Sequence, residues 1–164
     1  MTATKGSKRI VFLGIDGVLN TWPGPLAPEL VERLNVITRA TGAVIVVHSS
    51  RRYRESLSLW LKDGGVEAGA VRASTPHVTW LGRGGICVTS QDRDAWCEGM
   101  PSRADRAVAI QHWLNDHPEV ERFVILDDCD ELGHFVGRPE FIRTNRHEGL
   151  TDAHVARAIE VLHG

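Results

Sequence analysis

Unbroken apolar runs alternate along this chain with stretches of helical periodicity. Ile10-Val11-Phe12-Leu13 is rich in β-formers and is followed by Gly14 and Gly17, the pattern of a buried strand running into a loop. Pro23, Pro25 and Pro28 mark a connection, after which Leu30, Leu34 and Ile37 recur at helical spacing until Gly42. Ala43-Val44-Ile45-Val46-Val47 predicts a second buried strand. Tyr53, Leu57, Trp60 and Leu61 then line one face of a helix that stops at Gly64-Gly65. Periodicity returns at Ser102, with Ala107, Ile110 and Leu114 on a helix ending before Pro118. Phe123-Val124-Ile125-Leu126 is a third strand and Phe141-Ile142 a weak fourth. Thr151 caps a last helix carrying Val155, Ile159 and Leu162. Strands alternating with helices predict an α/β fold, a Rossmann-like doubly wound parallel sheet, in one domain over 8–164. Residues 1–7 read as a flexible tail. The stretch 63–100 has no long periodic pattern and reads as a small cap or substrate insert, if the fold has a cap at all.

Composition narrows the class. The chain has 164 residues, 42% hydrophobic and 24% charged, enough for one domain with a real core. A formal net charge of −2 argues against a general nucleic-acid or membrane-surface binder, which would show a basic excess. The 3 cysteines, Cys87, Cys97 and Cys129, are odd in number and show no Cys-x-x-Cys spacing, so a reduced, cytoplasmic setting is the expectation. No segment reaches the roughly 18 apolar residues of a membrane helix.

The chemistry should sit beyond the carboxyl ends of the strands, where open parallel sheets bind ligands. Asp16 follows the first strand, Ser49 the second, and the pair Asp127-Asp128 the third. Oxygen ligands so clustered suit a hard cation such as Mg²⁺ that bridges to a phosphate. Gly82-Arg83-Gly84-Gly85 lacks the Lys-Ser/Thr of a nucleotide P-loop and reads as a turn. A receiver-type acid cluster would place its acid pair after the first strand, whereas the pair here comes late.

These motifs resemble the haloacid-dehalogenase-like (HAD-like) phosphatases over roughly residues 8–163. Residues 10–20 look like the family's first motif, an apolar strand followed by Asp-x-Asp-Gly-Thr/Val. Val44 to Ser50 is similar to the second motif, with Ser49 as the phosphate-binding hydroxyl and Ser49-Ser50-Arg51-Arg52 matching the Ser-Ser-Trp-Arg of small bacterial members at all but Arg51. Arg106 falls where the third motif has Lys, with Arg103 as its competitor, and Phe123 to Asp128 looks like the fourth motif in its Asp-Asp form. The ending, Ile142-Arg143-Thr144 then Gly149-Leu150-Thr151, is similar to the tail of small members related to RNA-repair HAD domains.

The resemblance implies a small phosphorylated substrate and an aspartyl-phosphate intermediate. It further implies an acid/base role for Asp16 and Mg²⁺ held through Asp16, Asp127 and Asp128, with Asp127 preferred as the nearer ligand. Gly17, Ser50, Asn20 and Arg52 are carried over as substrate contacts, although a loop-stabilising role for Asn20 is equally open. The departure is Gly14. It stands at the nucleophile position, and shifting the register to make Asp16 the nucleophile would put Val18 in the acid/base role, which it cannot fill. The glycine therefore removes the attacking oxygen and one magnesium ligand. Three readings stay open: a phosphatase inactivated to trap its substrate, a natural member that binds a phosphorylated ligand without turnover, or a different reaction in the remodelled site. His48, just before Ser49, reads as a core-packing group, Trp80 and Trp96 as loop anchors or walls of a substrate pocket, and the acidic balance lends no support to a nucleic-acid partner.

Overall fold

The computed structural model describes residues 9–49, 56–75, 77–81, 85–89, 104–130 and 132–164, with the backbone alone for 77–81, 85–89, 104 and 105. Its strands are β1 (Arg9–Leu13), β2 (Val44–Val47), β3 (Val71–Ser74), β4 (His77–Leu81), β5 (Gly85–Thr89), β6 (Arg122–Asp127) and β7 (Phe141–Arg143). The helices are α1 (Pro28–Thr41), α2 (Leu57–Asp63), α3 (Ala104–Asp116) and α4 (Asp152–His163).

The apolar runs became the centre of the sheet because both of their faces are covered. Val11, Leu13, Ile45, Val47, Val124 and Leu126 pack into one core with Leu34 and Ile37 of α1, Leu61 of α2 and Leu162 of α4. Their alternate neighbours Ile10, Phe12, Val46 and Ile125 pack into a second core with Ile110 of α3 and Phe135. Side chains of a strand point alternately to opposite faces, so a sheet layered by helices on both sides needs no polar positions in its middle strands. Pro28 opens α1 at a position that lacks an amide partner anyway, and Gly42 (φ 68°) closes it, its N–H donating to the Thr38 carbonyl at 2.9 Å. Thr151 caps α4 as expected, with a reciprocal bond from the Thr151 N–H to the His154 ring.

The 5-stranded sheet runs in the order β3-β2-β1-β6-β7, with every neighbouring pair parallel. From β1 the chain winds outward through β2 to β3, then returns to the other side of β1 as β6. The strand order thus reverses between β1 and β6, which opens a crevice at their carboxyl ends.

One part of the expected layout is corrected. Val71–Ser74, inside the stretch 63–100 read as an insert, is the edge strand of the main sheet, paired with β2. Only 4 residues long and half-buried, it has a strand neighbour on one side alone among the described residues and so carries no long apolar run. The separate β4-β5 hairpin is antiparallel, with Leu81 opposite Gly85. Residues 76, 82–84 and 90–100 of that stretch lie outside the described residues, as do the tail 1–7 and residues 8 and 101–103. No helix among the described residues is long and apolar enough to cross a membrane. Cys129 is buried.

Candidate functional site

The β1 strand ends at Leu13, and Gly14 continues it by donating its N–H to the Leu126 carbonyl at 2.8 Å. That pairing sets Gly14 against the last turn of β6, where Asp127 begins the opposite wall. A Cβ placed on Gly14 would lie 2.8 Å from Asp127 Oδ2 and 2.9 Å from the Leu126 carbonyl oxygen. Both separations are closer than packed atoms tolerate. The Asp127 carboxylate therefore lies over Gly14, in the space a side chain would need first.

Asp127 is almost completely buried, and its oxygens are engaged. Arg106 of α3 donates from Nη1 to Oδ2 at 2.9 Å, and His48 Nε2 lies 3.3 Å from the same oxygen. The Cys129 N–H donates to Oδ1 at 2.8 Å. Burial pushes the Asp127 carboxyl above the usual carboxylate range, and the Arg106 guanidinium pulls it partly back. Asp128 is close enough to share a hydrogen bond with it. Burial raises the Asp128 carboxyl too, followed by the adjoining charge of Asp127, and Arg146 at 3.7 Å offsets this in part. The pair holds a proton more readily than two separate carboxyls would, with Asp128 the more accessible member.

The loop after β1 is built around Asn20, which is 2% exposed. Its Nδ2 donates to Asp16 Oδ1 at 2.9 Å and to the Gly24 carbonyl at 2.8 Å, while its Oδ1 accepts the Gly17 N–H at 2.9 Å. Of the roles left open for Asn20, the structure gives it the loop: it orients the Asp16 carboxylate and is itself covered. Gly17 has φ 74°, and a Cβ there would come within 2.6 Å of Asp128 Oδ2. Left-handed backbone and close approach both demand glycine at this position. Thr144, at the end of β7, donates its hydroxyl to the Gly17 carbonyl at 2.6 Å and fixes the loop from the other side.

Gly14, Asp16, Gly17, Ser49, Arg106, Asp127 and Asp128 thus all lie at the carboxyl end of the sheet or reach it. Ser49, directly after β2, is buried. Arg106 reaches Asp127, and its competitor Arg103 lies outside the described residues, together with Ser50, Arg51 and Arg52. Sequence reasoning missed Thr144 and Arg146 and favoured core packing for His48 although it adjoins Ser49. Thr144 follows a strand directly, so the rule that singled out Ser49 would have found it. No sequence signal joins Arg146 to Asp128.

The expected Mg²⁺ can be weighed on the donor set. Magnesium requires a near-octahedral shell of oxygens. Gly14 offers no side-chain oxygen, and Asp127 has Oδ2 directed at Arg106 and His48 and Oδ1 at an amide. Among the described residues, no group of three or more acid, histidine or cysteine side chains converges where a metal ion could sit. Asp16, Asp127 and Asp128 as they stand therefore do not fit a resident Mg²⁺. The reason is the glycine and the inward turn of Asp127.

Comparison with known families matches residues 10–155 to the HAD domain in Swiss Army Knife RNA repair proteins. Neither a curated protein nor a solved structure gives a match.

Proposed function

The chain belongs to the family of HAD domains in Swiss Army Knife RNA repair proteins, and from that premise we propose that its crevice is a HAD-type phosphomonoester site lacking its attacking carboxylate. It would receive a small phosphorylated ligand without forming the aspartyl-phosphate. The observation that carries this reading is the packing at Gly14. The position where the family chemistry needs a nucleophile has no room for a Cβ, because Asp127 Oδ2 and the Leu126 carbonyl already occupy it.

The remaining parts keep the shape of a phosphate site. Asp16, held by Asn20, is placed to give or take a proton at the leaving oxygen. Arg106 brings a guanidinium to the crevice, where it holds Asp127, and Ser49, buried just after β2, would supply the phosphate-binding hydroxyl. What the chain lacks is covalent catalysis, which divides phosphoester hydrolysis into two easier steps.

The test is hydrolysis of an aryl phosphate with Mg²⁺, by this chain and by Gly14→Asp, with thermal melting of both to establish folding. The expected outcome is no turnover above background for Gly14 and Mg²⁺-dependent turnover for Gly14→Asp, with a lower melting temperature without Mg²⁺ because the new side chain must displace the Asp127 carboxylate. Melting should also respond to Mg²⁺ in the aspartate variant alone, since two adjoining carboxylates at 14 and 127 need a cation between them. Equal turnover by both chains, each dependent on Asp16, would overturn the proposal.

A further inference from the structure

Gly14 separates two polar side chains that belong to different strands. Leu13 of β1 is in register with Val47 of β2 and with Leu126 of β6, so Gly14, one step further, stands between His48 and Asp127. Phe12, Val46 and Ile125 face the core beneath α3. Side chains two residues apart on a strand share a face, so positions 14, 48 and 127 all face that way too. The outer two are a double strand spacing apart, roughly 9–10 Å at the backbone. Their side chains nevertheless meet over β1, with His48 Nε2 at 3.3 Å from Asp127 Oδ2. They meet there because position 14 has no side chain, since a Cβ would lie 2.8 Å from that same Oδ2.

The carboxylate is held from both sides. Arg106 of α3 donates to Oδ2 at 2.9 Å, and the His48 ring, 0% exposed, faces the same oxygen from β2. The Cys129 N–H donates to Oδ1. A polar ring sealed in a core costs free energy unless polar groups meet it, and the Asp127 carboxylate is such a group. A divalent cation needs an open carboxylate oxygen and a near-octahedral shell of further oxygens. At Oδ2 it would meet a guanidinium of like charge and an imidazole where oxygens are required. A carboxylate restored at position 14 would add an oxygen, but the imidazole would still stand on the approach to Asp127.

We propose that His48 and Arg106 together hold Asp127 in place of a divalent cation, so that this crevice works without a metal and His48 is the positioning residue that keeps one out. The proposal rests on the phosphate-site reading above only for the expectation of a metal; the contacts around Asp127 are independent of it. With its proton on Nε2, the imidazole turns the positive end of an N–H towards the carboxylate. Gly14 and His48 therefore act as a pair: the glycine opens the space over β1, and the imidazole gives the carboxylate that crosses it something to meet. A chain that regained an aspartate at 14 but kept His48 would hold a metal poorly.

The experiment measures Mn²⁺ binding to the full chain by water-proton relaxation, since Mn²⁺ accepts the same oxygen ligands as Mg²⁺. The chains compared are the parent, Asp127→Asn, Gly14→Asp, and Gly14→Asp combined with His48→Leu or His48→Gln, with melting curves to establish that each is folded. Glutamine keeps an N–H donor near the place of Nε2, and leucine removes it. The parent is expected to show no Mn²⁺ binding that Asp127→Asn takes away. Gly14→Asp with His48→Leu should bind Mn²⁺ about tenfold more tightly than Gly14→Asp alone, the scale on which groups around a metal site alter its affinity. Gly14→Asp with His48→Gln should bind no better than Gly14→Asp. If the leucine chain does not fold, His48→Asn takes its place, because the shorter amide falls short of Oδ2. An Asp127-dependent Mn²⁺ site in the parent would overturn the proposal, as would no gain from removing the imidazole. An equal gain with leucine and glutamine would make His48 a matter of ring volume and overturn it too. No reading here involves a phosphorylated ligand. If the expected Mn²⁺ pattern is found but Gly14→Asp hydrolyses no aryl phosphate, the phosphomonoester reading fails and this one stands.

Discussion

Replacing Gly14 with alanine tests the packing that the functional reading depends on. The backbone at Gly14 does not adopt the left-handed conformation, so the added methyl meets no torsional penalty and the cost is steric. The new Cβ would stand 2.8 Å and 3.1 Å from Oδ2 and Cγ of Asp127, and 2.9 Å from the Leu126 carbonyl oxygen. The carboxyl could rotate away only by giving up Arg106 and the Cys129 amide. The carbonyl belongs to a central strand paired on both sides. Overpacking of this kind costs about 1–3 kcal/mol. Against it stands about 0.4–1 kcal/mol, from the smaller backbone entropy that alanine brings to the unfolded chain.

The net expectation for Gly14→Ala is a loss of about 1–2 kcal/mol, or roughly 2–8 °C in melting temperature for a domain of this size. Urea unfolding at pH 7 measures it directly. A double-mutant cycle with Asp127→Ala separates the two contacts: where the carboxylate is the obstacle, Gly14→Ala costs less once that carboxylate is gone. A Gly14→Ala chain as stable as the parent, or more so, would refute the claim that the crevice has closed over the nucleophile position. The site would then be a phosphatase pocket that merely lacks its aspartate.

Other changes read different parts of the site. Arg106→Met should destabilise the fold by roughly 3 kcal/mol at pH 8, because it leaves the buried Asp127 without its cation. The loss should shrink at pH 5, where Asp127, already displaced upward by burial, can take up a proton instead. Asp128→Asn is expected to raise the melting temperature at pH 7. The folded-state carboxyl of Asp128 is displaced upward, so its ionisation above the ordinary range costs stability that the amide does not lose; the two chains should converge as the pH falls towards about 4. Asn20→Ala removes the partner of the Gly17 amide, the Gly24 carbonyl and the Asp16 carboxylate together, and should cost about 1–3 kcal/mol in urea unfolding. In the Gly14→Asp background it should also lower kcat more than it alters KM, the mark of a residue that positions the acid/base group.

Much of the fold was legible in the order of residues because burial leaves a local trace. The runs at 10–13, 43–47 and 123–126 are apolar at every position since helices cover both faces of those strands, and Pro28, Gly42 and Thr151 mark helix ends through backbone geometry that each residue type carries with it. The acids after the strands were visible for the same reason, as polar groups where apolar runs stop. Strand β3 was not, because an edge strand half open to solvent has no such run.

The site itself was decided by the tertiary structure. Arg106 meets Asp127 across 21 positions and Thr144 meets Gly17 across 127, and neither pairing leaves a periodic signal in the chain. Which strands adjoin, and hence that the Gly14 backbone faces Asp127 Oδ2, follows from the return of β6 to the far side of β1. Residue order alone put a glycine where the resembled motif has its first aspartate. Only the packed sheet determined that the space is taken, because close approach depends on how two distant strand ends are brought together and not on the identity of either residue.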